Sequence, residues 1–326
     1  MAAAMAAAET VRGLTSPNPW VGAVLVSADG RTFVGATEPP GGAHAEIVAL
    51  RAAAAAHADT LYVTLEPCSH HGRTGPCADA VIAAGVRRVV IAMIDPDPLV
   101  AGAGVARLEA AGVDVVTGVL ADAVAEQLGP YLTHRREHRP WVTLKLAATL
   151  DGRTAAADGT SRWITGDEAR ADAHRLRATH DAVLVGAGTV RADDPELTVR
   201  HVPGRDPLRV VLGQAPAGAR IRPALELQGP LPSVLGDLAD RGVLSVLVEG
   251  GPTVAHAFHA AGLVDRYVVY LAPVLMGGSD GRPLFEGPGA ATIGGATRGR
   301  LLGVRHLGDD LRLDLEPAPA HQPAAV

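Results

Sequence analysis

"AHAEIVALRAAAAAH" (residues 43–57) is an alanine-rich segment with a helical pattern, and it stands between two valine-rich runs, "WVGAVLVSADG" (20–30) and "TLYVTLEPC" (60–68). The same order then repeats, because "CADAVIAAGV" (77–86) is again typical of a helix and "RRVVIAMIDPDP" (87–98) of a buried strand. Strands that alternate with helices in this way predict an α/β domain built on a layered sheet.

A second series of strand and helix patterns follows a polar, basic stretch, "EQLGPYLTHRREHRP" (126–140), which ends in a proline. This series begins with "WVTLKLAATLDGRT" (141–154) and includes "LSVLVEGGPTVAHAFHAAGL" (244–263). A chain of 326 residues is longer than one hydrophobic core usually grows, so two domains are expected. We predict a first domain over residues 1–138, a second over residues 139–318 and a disordered tail over residues 319–326.

The composition argues against several classes of protein. A formal net charge of −6 and an aromatic content of 3% are unlike those of nucleic-acid-binding proteins. No run approaches the roughly 18 apolar residues that a membrane span needs. The opening "MAAAMAAAET" has no basic residue before its apolar run, so it predicts the first turns of a helix and not a targeting signal. We therefore expect a cytoplasmic protein with neither nucleic-acid nor membrane partners.

The chain has two cysteines, Cys68 and Cys77, and both lie in the short segment "EPCSHHGRTGPCADA". A disulfide between them is one interpretation, but cytoplasmic thiols are normally kept reduced. Two thiols in one loop of an intracellular protein more often serve metal binding or catalysis. The cysteine pattern therefore favours a metal or catalytic site.

His44, Cys68 and Cys77 supply the three nitrogen and sulfur ligands that a catalytic zinc site uses, with the fourth position left for water. Glu46 follows His44 by two residues, where a general acid/base is wanted. The pattern is similar to the zinc-deaminase signature H-x-E…P-C-x₂-C, except that the cysteine spacing is longer. The alternative is a capping histidine, a surface glutamate and two ordinary thiols. The four residues together favour the zinc site.

Two strand-to-helix turns in the second half are candidates for phosphate binding. "VEGGPTV" (248–254) ends a strand pattern with two glycines and places Pro252 at the first helical position. Such a turn lets a phosphate approach backbone N–H groups at a helix N-terminus. "VGAGTVRADD" (185–194) offers a second turn of the same kind, and neither contains the G-x-G-x-x-G fingerprint. Both are equally compatible with a tight strand–helix connection.

The sequence resembles the bifunctional riboflavin-biosynthesis deaminase-reductases from about Thr15 to about Leu315. The resemblance rests on "TSPNPWVGAVLV", "HAE", "VTLEPCSHHGRTGPC", "DPDPLVAGAG", "LKLAATLDGR", "SRWITG", "RADDPELTVR" and "VEGG". In that family the longer cysteine spacing is the rule. The resemblance implies an α/β protein with an N-terminal cytidine-deaminase-like three-layer domain, followed by a dihydrofolate-reductase-like α/β domain.

The resemblance also implies two consecutive reactions. The first converts 2,5-diamino-6-ribosylamino-4(3H)-pyrimidinone 5′-phosphate to 5-amino-6-(5-phosphoribosylamino)uracil by hydrolytic deamination. The second reduces the ribosyl group to ribityl with NADPH. We therefore expect Zn²⁺ and NADPH as cofactors, a small phosphorylated pyrimidine as substrate and a homo-oligomeric enzyme. The alternative is a paralogue that acts on a related pyrimidine or pterin in another pathway.

By resemblance, each half has its own site residues. His44, Cys68 and Cys77 hold the metal, and Glu46 and Lys145 are catalytic, although Lys145 is also compatible with a strand-end surface lysine. The deaminase substrate contacts Asn18, His70, Arg73, Thr74, Asp95 and Asp97, the last of which often is asparagine in the family. The reductase substrate contacts Ser161, Arg177, Leu197, Arg200 and Glu249. The cofactor contacts Ala147, Trp163, Thr189, Asp193, Gly251, Pro252, Thr253, Val254, Ala255, His256 and Ala257.

Overall fold

The computed structural model describes residues 1–54, 56–70, 75–98 and 100–318. The chain divides into two compact units, Met1–Arg139 and the part from Pro140 onward. This division falls one residue after the end of the first predicted domain. The tail predicted from residue 319 lies outside the described residues.

The first unit is built on a five-stranded sheet with the strand order β2-β1-β3-β4-β5. Its strands are β1 (Gly22–Ser27), β2 (Thr32–Ala36), β3 (Ala58–Leu65), β4 (Arg88–Met93) and β5 (Asp114–Thr117). Its helices are α1 (Ala2–Glu9), α2 (Ala45–Ala53), α3 (Cys77–Ala83), α4 (Ala103–Ala110), α5 (Ala121–Gln127) and α6 (Gly129–Glu137). β1 runs antiparallel to β2 and β3, whereas β3, β4 and β5 are parallel.

Glycines let helices approach both faces of this sheet. A Cβ at Gly22 of β1 would overlap the Ala4 carbonyl oxygen of α1, and a Cβ at Gly35 of β2 would overlap the Ala45 carbonyl oxygen of α2. Gly22 is paired with Ala36, the residue next to Gly35. Because neighbouring strand residues point to opposite faces, α1 and α2 pack on opposite sides of the sheet. The first unit therefore has the expected three layers.

The stretch 126–140, where we placed the domain boundary, is largely helical. Its last helix, α6, carries Pro130 at its start, where the missing N–H of proline costs no helical hydrogen bond. Tyr131, Leu132 and Thr133 of α6 are buried, although the surrounding sequence is polar and basic. This segment therefore belongs to the packed body of the first unit.

The second unit contains an eight-stranded sheet with the order β10-β9-β8-β11-β6-β12-β15-β14 and a two-stranded ribbon, β13-β7. The strands are β6 (Trp141–Thr149), β7 (Arg153–Ala155), β8 (Ala182–Gly186), β9 (Leu208–Leu212), β10 (Leu225–Leu227), β11 (Ser245–Val248), β12 (Arg266–Ala272), β13 (Arg282–Pro283), β14 (Gly299–Leu307) and β15 (Asp310–Pro317). The helices are α7 (Asp167–Thr179), α8 (Ala187–Asp193), α9 (Leu231–Asp240) and α10 (Pro252–Ala260).

The strands from β10 to β12 in this order are parallel, and β12, β15 and β14 are antiparallel neighbours. One core cluster contains Leu144 and Phe258, and a second contains Val185 and Tyr270. In open parallel sheets, ligands bind outside the carboxyl ends of the strands. The predicted α/β class is confirmed for both units. Among the described helices, none has the length and apolar character needed to cross a bilayer.

Candidate functional sites

The three predicted metal ligands meet in the first unit. His44 is the residue before α2 and has extended backbone angles, Cys68 lies on the loop after β3, and Cys77 is the first residue of α3. His44 Nδ1 is 3.2 Å from Cys77 Sγ and 3.6 Å from Cys68 Sγ. One ligand atom from each residue lies within 4.8 Å of the others, and both cysteines are free thiols. Imidazole nitrogen with two sulfurs is a donor set that suits zinc.

Glu46 lies in the first turn of α2 and lines the same cavity as His44 and Cys68. Its side chain is almost fully buried, and this burial raises its pKa to about 7. Hydrogen bonding with Cys77 lowers the pKa of the Cys68 thiol, which favours the thiolate form that binds metals. A buried carboxyl with a pKa near neutrality is suited to accept and to return a proton.

This cavity has a volume of about 440 Å³ and brings together the predicted deaminase substrate residues that the structure describes. Asn18, His70, Asp95 and Asp97 all line it. Arg73 and Thr74, which we also predicted to contact the substrate, lie outside the described residues.

Two further residues that line the cavity, Tyr131 and Arg135, come from α6, and we did not predict them from the sequence. The Tyr131 hydroxyl donates to both Asp95 oxygens at 3.0 and 3.2 Å, and the Arg135 guanidinium is 3.4 Å from an Asp97 oxygen. Burial raises the pKa of Asp95. The available signal was the aromatic and basic content of "GPYLTHRRE" (129–137), which we interpreted only as part of a boundary.

Glu66 joins the loop of the metal ligands to the loop of Asp95. Its carboxylate is buried and accepts four backbone N–H groups. Asp95 and Gly102 donate to Oε2 at 3.2 and 3.0 Å, and Gly104 and Val105 donate to Oε1 at 2.8 and 3.1 Å. One side chain at the edge of the cavity thus holds the segment 66–68 to Asp95 and to the segment 102–105.

Two adjoining cavities lie at the carboxyl edge of the sheet in the second unit. The glycine-turn cavity, of about 610 Å³, is lined by residues of the two predicted turns, among them Gly186, Thr189, Gly251 and Val254. The arginine-lined cavity, of about 690 Å³, contains Ser161, Trp163, His174, Arg177, Leu197, Arg200, Arg220 and Tyr270.

The two cavities share Lys145, Ala147, Thr154, Ser161 and Asp193. Lys145 is an inner residue of β6 and is not at the strand end, and its Nζ lies 5.6 Å from the Tyr270 ring centre. Burial lowers the pKa of Lys145. The lysine therefore stands where a ligand in one cavity would meet a ligand in the other.

Arg177 and Glu249, two predicted substrate residues, are paired with each other. Arg177 Nε and Nη2 donate to the two Glu249 oxygens at 2.6 and 2.9 Å, and both side chains are largely buried. Burial alone would raise the pKa of Glu249, but the charge and hydrogen bonds of Arg177 outweigh it and hold this pKa at about 2. The pair fixes the carboxylate at the end of β11, beside the first glycine of the turn.

The remaining predicted contacts are divided unevenly between the cavities. Trp163, predicted as a cofactor contact, lines the arginine-lined cavity, and Glu249, predicted as a substrate contact, lines the glycine-turn cavity. Pro252 and Thr253 line the glycine-turn cavity, and α10 begins at Pro252 as expected. Ala255 is fully buried in the core, and neither it nor His256 and Ala257 contributes to the lining of this cavity.

Comparisons with known proteins match both units. Residues 1–93 match the family "Cytidine and deoxycytidylate deaminase zinc-binding region", and residues 140–313 match "RibD C-terminal domain". The riboflavin biosynthesis protein RibD of Mycobacterium tuberculosis is 46% identical over 320 residues, covering 94% of this chain and 93% of that protein. The chain belongs to the RibD family. The RibD of Escherichia coli K12 is 41% identical, covering 97% of this chain and 98% of that protein.

Solved RibD structures share the architecture. Acinetobacter baumannii RibD has a TM-score of 0.89 at 40% identity, covering 97% of each chain. A Thermotoga maritima structure, described as a diaminohydroxyphosphoribosylaminopyrimidine deaminase/5-amino-6-(5-phosphoribosylamino)uracil reductase, has a TM-score of 0.88 at 34% identity with 97% of each chain covered. As a RibD family member, the chain is a bifunctional deaminase and reductase of riboflavin biosynthesis with zinc and NADPH as cofactors.

Proposed function

We propose that the first unit deaminates 2,5-diamino-6-ribosylamino-4(3H)-pyrimidinone 5′-phosphate to 5-amino-6-(5-phosphoribosylamino)uracil, and that the second unit reduces the ribosyl group of this product to ribityl. We assign these steps to residues 1–138 and 139–318. The observation that carries the proposal is the buried Glu46 in one cavity with His44 and Cys68, next to Cys77.

His44, Cys68 and Cys77 would hold the zinc ion. When bound, zinc lowers the pKa of its water towards about 7 and so provides a nucleophile at neutral pH. Glu46 would accept one proton from the attacking water and donate it to the pyrimidine ring nitrogen. It would then take the second proton from the new hydroxyl group on the ring carbon and donate it to the amine, which leaves as ammonia while the carbonyl group forms. The Glu46 carboxyl can make these transfers because its raised pKa lies near neutrality. Asn18, His70, Asp95 and Asp97, together with Arg73 and Thr74, orient the substrate.

In the second unit, the glycine-turn cavity takes the cofactor and the arginine-lined cavity takes the phosphorylated sugar. When bound, NADPH would supply a hydride to C1′ of the opened, imine-like ribosyl group. Lys145 stands between the cavities, and its lowered pKa makes its ammonium group a better proton donor to the sugar. Cationic side chains outnumber carboxylates in the lining of the arginine-lined cavity, which suits an anionic substrate even though Arg177 and Arg200 are each paired with a glutamate. Thr189 accepts a hydrogen bond from Gly251 N–H at 3.2 Å and so keeps the glycine turn in place.

Glu46→Gln tests the deaminase assignment. The substitution keeps the size of the side chain but removes proton transfer, which typically contributes about 10² to 10⁴ in rate. We expect the zinc content to be retained, deamination to fall by this factor and reduction of the deaminated intermediate to continue. Loss of zinc would make Glu46 a ligand, retained deamination would assign the proton transfer to another group, and loss of reduction would mean that the two sites are coupled.

The alternative is a paralogue that acts on a related pyrimidine or pterin. Incubation of the protein with the diaminopyrimidinone phosphate, with and without NADPH, distinguishes the two by the masses of the products. Deaminated product without NADPH and reduced product with it support the proposal, whereas unchanged substrate supports the paralogue. We also propose a homo-oligomer in the cytoplasm, where free thiols such as Cys68 and Cys77 stay reduced, and sedimentation of the purified protein tests the oligomeric state.

A further inference from the structure

The glycine-turn cavity continues past the two turns along the sheet. Next to it lies the β9–β10 pocket, which is lined by Leu212, Gly213, Gln214, Leu227, Gln228, Gly229 and Leu231. The cavity and the pocket share Ala187, Arg191 and Leu212, so they adjoin at α8. They form one path over the carboxyl ends of the parallel strands β6, β11, β8, β9 and β10. With strands about 4.8 Å apart, the path from β6 to β10 extends for roughly 19 Å.

The order of groups along this path matches the parts of a dinucleotide. Lys145 on β6 marks one end, where the glycine-turn cavity and the arginine-lined cavity meet, and the turn at Gly251 after β11 follows. The other end, at β9 and β10, is an open surface that combines Leu212, Leu227 and Leu231 with the amide side chains of Gln214 and Gln228. Leucine side chains that can contact the face of a base, beside amide groups that can hydrogen-bond its edge, suit a purine base. If the nicotinamide lies at Lys145, the adenosine lies at the β9–β10 pocket.

Arg191 stands between these two parts of the path. It is an exposed residue in the last turn of α8 and lines both the glycine-turn cavity and the β9–β10 pocket. Within the ranges that the structure describes, its side chain has no ion pair or hydrogen bond, whereas Arg177 and Arg220 are paired with carboxylates. An unpaired guanidinium beside an adenosine site has the geometry and charge to bind a phosphate through paired hydrogen bonds.

One other arginine lines the glycine-turn cavity. Arg282 lies on β13, which pairs with β7 next to the Lys145 end, and it does not line the β9–β10 pocket. A phosphate on the adenosine ribose would therefore be within reach of Arg191, while Arg282 stands near the other half of the cofactor. NADPH and NADH differ only by the 2′-phosphate. Substitution of Arg191 should therefore weaken the binding of NADPH and not that of NADH, whereas substitution of Arg282 should not distinguish the two cofactors.

We propose that Arg191 binds the 2′-phosphate of NADPH and makes the second unit prefer NADPH to NADH. This inference rests on the proposed reductase function and adds the residue that selects the cofactor. The adenine then occupies the β9–β10 pocket, and the pyrophosphate passes the turn at Gly251.

Binding measurements by calorimetry test the proposal without turnover. The probes are NADPH, NADH, 2′,5′-ADP and 5′-AMP, and the variants are Arg191→Ala and, as a matched control, Arg241→Ala. Arg241 is an exposed arginine after α9 that lies outside both cavities. We expect Arg191→Ala to weaken NADPH and 2′,5′-ADP by about 10-fold to 100-fold, the usual value of hydrogen bonds to a charged group. NADH and 5′-AMP should bind as they do to the wild type, and Arg241→Ala should change none of the four.

Other results overturn the proposal in distinguishable ways. If Arg191→Ala, with an unchanged circular dichroism spectrum, binds NADPH like the wild type, another residue holds the 2′-phosphate and the reductase assignment stands. Equal weakening of NADPH and NADH would place Arg191 on a shared part of the cofactor. A wild-type protein that binds neither dinucleotide would remove the proposed reductase function together with this inference. Arg191→Lys should restore part of the NADPH affinity, because it keeps the charge but not the paired geometry.

Discussion

Replacement of Glu66 by glutamine should loosen the segment that carries Asp95 and starts α4. The carboxylate accepts two N–H groups on each oxygen, those of Asp95 and Gly102 on one and those of Gly104 and Val105 on the other. A carboxamide offers one oxygen and one NH₂ group, so in either orientation two buried N–H donors face another donor. The substitution therefore destabilises the segment in either orientation of the glutamine side chain.

The magnitude follows from the number of donors that lose their acceptor. Leaving a buried donor unsatisfied costs about 1 to 3 kcal/mol, so two such donors cost about 4 kcal/mol. If this cost appears as local opening, amide exchange in residues 100–106 should accelerate by about a thousandfold. Compensation by backbone movement is limited, because a Cβ at Gly104 would already overlap the Pro67 carbonyl oxygen.

Hydrogen exchange followed by mass spectrometry measures this opening. Glu109→Gln is the matched control, since it makes the same chemical change on an exposed residue of the same helix. The strand Ser245–Val248 of the second unit serves as an internal reference. We also expect the KM of deamination to rise while the zinc content is kept, because Asp95 loses its support and the metal ligands remain. Wild-type exchange in Glu66→Gln, or equal acceleration in Glu109→Gln, would refute the reasoning.

Four further predictions concern the metal and the second unit. His44→Ala should reduce zinc from about one ion per chain to a trace by elemental analysis, and undiminished zinc would contradict the ligand assignment. Lys145→Met should lower the rate of reduction by about 10² or more and leave the rate of deamination unchanged, with each reaction measured on its own substrate. Glu249→Gln should destabilise the second unit by about 3 to 5 kcal/mol in urea unfolding, since it leaves the Arg177 charge buried without its partner. For pH, burial and then the Arg177 charge lower the pKa of His174 to about 4, from an ordinary value of 6.5. As the pH falls, the imidazole of His174 is protonated in the unfolded chain before it is protonated in the folded protein. The folded protein therefore loses stability between pH 6.5 and about 4. The Glu249 carboxyl has a pKa of about 2 against an ordinary 4.5, so further stability is lost as the pH falls from 4.5 to about 2. Thermal unfolding from pH 7 downward should show both losses, and His174→Gln should abolish the upper one.

The sequence alone indicated the features that depend on local pattern and on residue type. Alternating apolar runs and alanine-rich segments determine strands and helices locally, so the two α/β units were predictable. His44, Glu46, Cys68 and Cys77 were also recognisable, because zinc accepts few kinds of ligand and the proton-transfer group must stand close to one of them. The resemblance to the family motifs then supplied the reactions.

Contacts between distant segments were decided only by the tertiary structure. Tyr131 and Arg135 reach the deaminase cavity because α6 packs back onto the first unit, and the polar sequence of that helix conceals its buried face. Glu66 binds donors up to 39 positions away, so its role has no local signature. In the second unit, the order of the parallel strands places Lys145 of β6 and Arg191 of α8, which follows β8, in the lining of one cavity. The type of a residue and its spacing from its neighbours in the sequence define the chemistry that it offers. Its contact partners come from distant segments, because the fold is determined by burial of apolar surface over the whole unit.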